Sequence, residues 1–178
     1  MNRDDLFKFY EKLYFHEIEM REKLNGRIQI YLAIIAALFS LIGFILKNVT
    51  KLLFVGTGFS FIIILAVDIV FIFIAIYYFI CSWYNYEYAF LPSANDTEEY
   101  RNLLIETYKG YEQAESLVEN TLKEYLYRYY AECSSTNTKN NDQRSLFFHK
   151  TATVLIFLFC YTVISIALFY LGDLKFCK

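Results

Sequence analysis

Charge is all but missing from three long stretches of this 178-residue chain, and its scarcity there excludes a water-soluble fold. The run 28–46 has none over nineteen residues, and 151–172 has none over twenty-two. The longest run, 52–83, has a single charge in thirty-two residues, Asp68. At about 1.5 Å of rise per residue, a helix over 52–83 reaches roughly 48 Å, and a hydrocarbon core of about 30 Å is crossed by about 20 residues. A domain of this size has no aqueous core thick enough to hide such an element. Proline is nearly absent too: Pro92 alone interrupts the pattern, and it closes the long apolar element. Four cysteines (Cys81, Cys133, Cys160, Cys177) show no C-x-x-C or other metal spacing, so they read as free thiols and no metal site is expected. There is no phosphate-binding glycine loop, no HExxH and no nucleophile elbow, and no cofactor is implied. Six Lys/Arg and six Asp/Glu within residues 1–27 leave no apolar core for a cleavable signal peptide, so insertion is expected to depend on the internal runs.

What is present fits lipid. The chain is 57% hydrophobic, with 18 Phe and 17 Tyr. Phenylalanine suits a lipid-facing surface, while tyrosine suits interfaces; Tyr77, Tyr78, Trp83, Tyr84, Tyr86 and Tyr88 form an aromatic belt at the end of the longest run. The expected fold class is all-α: an integral membrane protein with about three transmembrane helices and a cytoplasmic helical lobe, assembled as a symmetric homo-oligomer. Residues 1–27 form an amphipathic helix, with Leu6, Leu13 and Met20 on one stripe. The transmembrane helices are 28–46, 52–83 and 151–172, the lobe is 84–150, and 173–178 is an external tail. Asn25-Gly26 is a candidate bend, and Lys47–Lys51 a tight turn. Within the lobe a helix is expected from Thr97 to about Cys133, opened by Asp96 as N-cap with Glu99 at N3. The polar, aperiodic Ser134–Gln143 reads as a flexible loop. Lys/Arg are thirteen on the lobe side (six in 1–27, seven in 84–150) against four on the other, which puts the N-terminus and lobe in the cytoplasm.

Two groups could carry function. A carboxylate at mid-membrane costs at least about 2.5 kcal/mol on insertion scales, so Asp68 should face protein or water. It would line a pore as a ring of carboxylates, act as a gate, or sit protonated or hydrogen-bonded in a helix contact. Gly56, Thr57 and Gly58 on the same helix suit close helix approach or oligomer contact. The second group is Arg144 to His149, RSLFFH, an Arg-x-x-x-x-His arrangement like that of HEPN ribonucleases. There the histidine takes the 2′-hydroxyl proton and the arginine stabilises phosphate charge. The same residues with Lys150 serve equally as the positive flank of the third transmembrane run. With seven Lys/Arg against eleven Asp/Glu the lobe is net acidic, which argues against RNA binding.

The layout, the length and the Arg144–His149 motif resemble the small membrane accessory proteins of type VI-B CRISPR systems. That resemblance implies an octameric pore in the bacterial inner membrane. It would depolarise the membrane once the accompanying RNA-guided, RNA-cleaving nuclease has found phage transcripts. Its implied partners are lipid, further copies of itself and, functionally, that nuclease. Two other readings of the residues remain: a membrane-tethered ribonuclease using Arg144 and His149, and a helical adaptor that uses the membrane as an anchor.

Overall fold

A computed structural model describes residues 2–48 and 58–176, and among these every regular element is α-helical. The order is α1 (Arg3–Asn48), α2 (Gly58–Trp83), α3 (Ala94–Thr107) and α4 (Ala114–Phe176). Among the described residues three helices are long and apolar enough to cross a membrane, α1, α2 and α4. Gly56, Thr57 and most of the turn after the first run lie outside the described residues; Lys47 and Asn48 still belong to α1. Two compact units form, residues 1–23 with 86–142, and residues 24–85 with 143–178.

In the first unit, α1 and α4 run parallel and are stitched by aromatic edges. Phe7 meets Tyr130 at 5.5 Å and Tyr10 meets Tyr127 at 5.4 Å, both edge to face. Arg3 and Asp4 pair with Glu124 and Lys123 at the start of this seam. The Lys123 ammonium, hydrogen-bonded to Asp4, holds that carboxyl below the usual range. Helix α3 folds back antiparallel on α4, with Tyr100 stacked on Tyr125 at 4.3 Å and the Tyr108 hydroxyl beside that of Thr121.

Three expectations need correction. The helix expected over Thr97–Cys133 is broken: α3 stops at Thr107, and Gly110 takes φ 97° in the turn before α4. A φ of that sign suits glycine, which has no Cβ to clash. The N-cap is Ser93, not Asp96. Its hydroxyl accepts from the Asp96 amide, and the Asp96 carboxylate at N3 accepts from the Ser93 amide. Aspartate thus plays the part usually given to glutamate in the reciprocal cap.

The larger correction concerns Ser134–Gln143, which is helix throughout. Its polar side chains have partners that a linear reading cannot see. Asn137 is fully buried; its amide donates to the Ala89 carbonyl and its oxygen accepts from the Ala89 N–H, each at 2.9 Å. Asn140 donates to the Glu87 carbonyl at 2.6 Å. Asn141 accepts from the Tyr88 hydroxyl and donates to the Glu17 carbonyl and carboxylate, both at 2.8 Å. The segment 86–92 has no helix or sheet ladder of its own, so its peptide groups need partners. Three asparagines supply them, while Ser134 and Thr138 return their hydroxyls to carbonyls one turn back. Arg21 covers the same segment, its guanidinium 4.9 Å from the Tyr88 ring and 5.3 Å from that of Phe90.

Cys133 belongs to this clamp. It is buried and its thiol donates to the Phe90 carbonyl at 3.4 Å. Burial, with Glu132 adding, pushes the thiol up. The unfolded thiol therefore ionises first, and its contribution to stability is lost as pH rises above the ordinary thiol range. Iodoacetamide at pH 8 should leave Cys133 unmodified in the folded protein and alkylate it after denaturation, as read by peptide mass. Modification without denaturant would mean that the clamp opens.

The second unit is a three-helix bundle. Its core runs along one stripe of each helix: Ile35, Leu38 and Ile42 from α1, Leu65, Ile72 and Phe79 from α2, Leu155 and Leu158 from α4. Within it α1 is parallel to α4, with Tyr31 stacked on Phe148 and Phe44 against Phe169. Helix α2 is antiparallel to α4, with Phe71 stacked on Tyr161 and Tyr78 tilted against Phe147. Asn25-Gly26 does not break α1. In helices the penalties of Asn and Gly are at most about 1 kcal/mol each, small beside the packing on either side. Only 22–28% of the most apolar window of each of the three long helices is buried, and Phe39, Phe73, Ile156 and Phe159 point outward. A soluble protein would not leave that much apolar surface uncovered.

Candidate functional site

Two buried polar clusters sit in the three-helix unit. The first surrounds Asp68, which is 0% exposed although it stands in a run of aliphatic and aromatic residues. α4 meets it with two hydroxyls one turn apart, Thr162 and Ser165, both buried. Ser165 Oγ donates to Asp68 Oδ2 at 2.5 Å. The Thr162 hydroxyl also neighbours the carboxyl. Yet Asp68 Oδ1 and Thr162 Oγ1 have no hydrogen-bond partner. A carboxylate lining a passage between copies would need an exposed face; Asp68 faces α4 of its own chain instead. Thr162 and Ser165 were not singled out from the sequence. Their signal was there, two hydroxyls at i and i+3 inside an uncharged run, but it gains meaning only once α4 is known to lie against α2.

The second cluster gathers round Arg144. Its side chain is 3% exposed, with Nε donating to the Ser82 carbonyl at 3.1 Å and Nη2 donating to Asn25 Oδ1 at 2.8 Å. Ser82 lies in the last turn of α2, where carbonyls lack intrahelical partners and a cation is favoured. Its own hydroxyl turns back to Phe79 O at 2.6 Å. Just beyond, Asn85 adopts φ 67°, a left-handed conformation that asparagine tolerates after a helix end. Arg144 thereby ties α1, the end of α2 and α4 together.

No family model, curated protein or solved structure matches this chain.

Arg144 and His149 are not brought together. Five helical positions separate them by about 140° around the axis; Arg144 is buried and His149 exposed. Lys150 lies over the Tyr78 and Phe147 rings at 5.6 and 5.2 Å, an amphipathic anchor where the polar and apolar parts of α4 meet. Of the small-residue patch, Gly58 opens α2, while Gly56 and Thr57 lie outside the described residues. Among the described residues no group of three or more His, Cys, Asp or Glu side chains is assembled.

Proposed function

We propose that this chain is one protomer of a homo-oligomeric pore in the bacterial inner membrane. On this reading it depolarises the membrane in antiviral defence beside an RNA-guided, RNA-cleaving nuclease, with no catalytic turnover of its own. The observation that carries the proposal is the pairing of a closed interior with an unsatisfied exterior. The three helices of the apolar unit close on one another around Asp68, while most of their apolar surface stays uncovered. Three helices are too few to enclose a conduit, so a passage has to form between copies, and cyclic symmetry supplies the way to close it. The type VI-B resemblance adds the number eight and the link to the nuclease, and the Lys/Arg excess adds a cytoplasmic N-terminus.

The test is membrane potential. Cells carrying this protein and a target-activated RNA-cleaving nuclease should lose their potential, and cells with the nuclease alone should keep it. An unchanged potential removes the proposal. The adaptor reading draws on Leu103, Ile105 and Tyr111, three large apolar side chains exposed on or just after α3. An adaptor would keep its effect when the spanning segments are replaced by an unrelated anchor, and a pore would lose it. The ribonuclease reading requires Arg144 to leave Ser82 and Asn25 before it could meet a phosphate, and is the weakest of the three.

A further inference from the structure

Asp68 is the one charged residue of the three stretches 28–46, 59–83 and 151–172, so no lysine, arginine or histidine from α1, α2 or α4 stands ready to neutralise it there. The titratable groups nearest to the cluster along α4 are Tyr161 and Cys160. An ionised carboxylate in this setting would have to be held by hydroxyl dipoles alone, and taking such a charge out of water is costly without a paired cation. Two hydroxyls neighbour it: Ser165 donates to Oδ2, and Thr162 lies beside the carboxyl. The other carboxyl oxygen and the Thr162 oxygen are both buried and both lack a partner.

A single proton answers all of these at once. Placed on Oδ1 it removes the charge, turns that oxygen into a donor, and gives it the Thr162 oxygen as acceptor. The Thr162 hydroxyl then remains free to donate to a carbonyl one turn back, as Thr151 and Thr153 do on the same helix. A metal ion fits less well. Alkaline-earth cations take about six or more oxygen ligands, and this cluster offers four, two of which, Asp68 Oδ2 and Ser165 Oγ, are already engaged with each other.

From this geometry we infer that Asp68, Thr162 and Ser165 form an intramembrane proton-binding site, occupied at neutral pH, whose proton holds α2 against α4. Loss of the proton would leave a bare negative charge in the seam between the two helices and drive them apart. The site stands whether or not the pore reading does, because it belongs to the packing of one chain.

Infrared spectroscopy on the protein in phospholipid vesicles tests it, with ¹³C-labelled aspartate so that no variant is required. The other aspartates should lose their acid carbonyl band by about pH 6, as solvated carboxyls do. One labelled band should remain at neutral pH and shift in D₂O. Its absence there, with all labelled aspartate ionised, overturns the inference. Asp68→Asn should remove that band while leaving the fold intact, since the amide keeps the shape and can still donate to Thr162. A band that survives Asp68→Asn belongs to another aspartate and equally overturns it. Thr162→Val should move the band to higher frequency by removing the acceptor; no movement would contradict the assignment of the proton to Oδ1. Vesicle depolarisation, measured separately, speaks only to the pore.

Discussion

Arg144→Ala should destabilise the three-helix unit by about 3 kcal/mol, whereas His149→Ala should stay within about 0.5 kcal/mol. The first figure follows from what the guanidinium leaves behind. The Ser82 carbonyl loses its donor in a buried setting, at about 1–3 kcal/mol, and Asn25 Oδ1, on an exposed residue, loses a part-buried hydrogen bond worth about 1 kcal/mol more. The second follows from exposure, since surface substitutions away from caps and networks rarely exceed that range. Thermal unfolding of the purified protein in one detergent, followed by circular dichroism, measures both. Arg144→Lys should recover only part of the loss, because an ammonium lacks the planar fork that serves Ser82 and Asn25 together. A catalytic pair predicts a different pattern: equal loss of activity in both variants with stability unchanged. That outcome would return the Arg-x-x-x-x-His motif to chemistry.

The other large effect is expected at Asn137. Asn137→Ala removes both hydrogen bonds to Ala89 and leaves a buried N–H and C=O unanswered, for a cost of about 3 kcal/mol. Limited proteolysis should then cut within 84–93 at protease levels that leave the parent chain whole. Asn137→Asp should do nearly as much damage at neutral pH. The acid still accepts from the Ala89 N–H but sets a carboxylate oxygen against the Ala89 carbonyl. Asn140→Ala should cost only about 1 kcal/mol, since its single bond to Glu87 is solvent-exposed. If all three variants resist protease equally, the segment is held by something other than these amides.

The Asn137 clamp also marks where a linear reading fails. Ser134–Gln143 looked like a loop because it is polar, lacks a period and is rich in residues that compete with helix formation. Local preference there amounts to tenths of a kcal/mol per residue. Hydrogen bonds to a segment some 48 residues earlier outweigh it. The same holds for Arg144. Beside a long apolar run its charge reads as a topogenic flank or half of a ribonuclease pair, and only the approach of Asn25 and Ser82 makes it a clasp. Asp68 is legible in the sequence, since a lone charge in thirty-two residues needs no structure to stand out. Its partners did need one. Thr162 and Ser165 lie about 95 residues away, and nothing in their neighbourhood names the helix they face.

Sequence alone determined that this chain is helical and has three runs fit to cross a lipid bilayer. Length and the absence of charge are one-dimensional properties, and the solvent that tolerates them follows from thickness and polarity. Tertiary structure alone decided which polar groups meet: Asp68 with Ser165, Arg144 with Ser82 and Asn25, Asn137 with Ala89. Each of those pairs joins residues more than forty positions apart. Their energies depend on distances of about 3 Å, which no local pattern of side chains encodes.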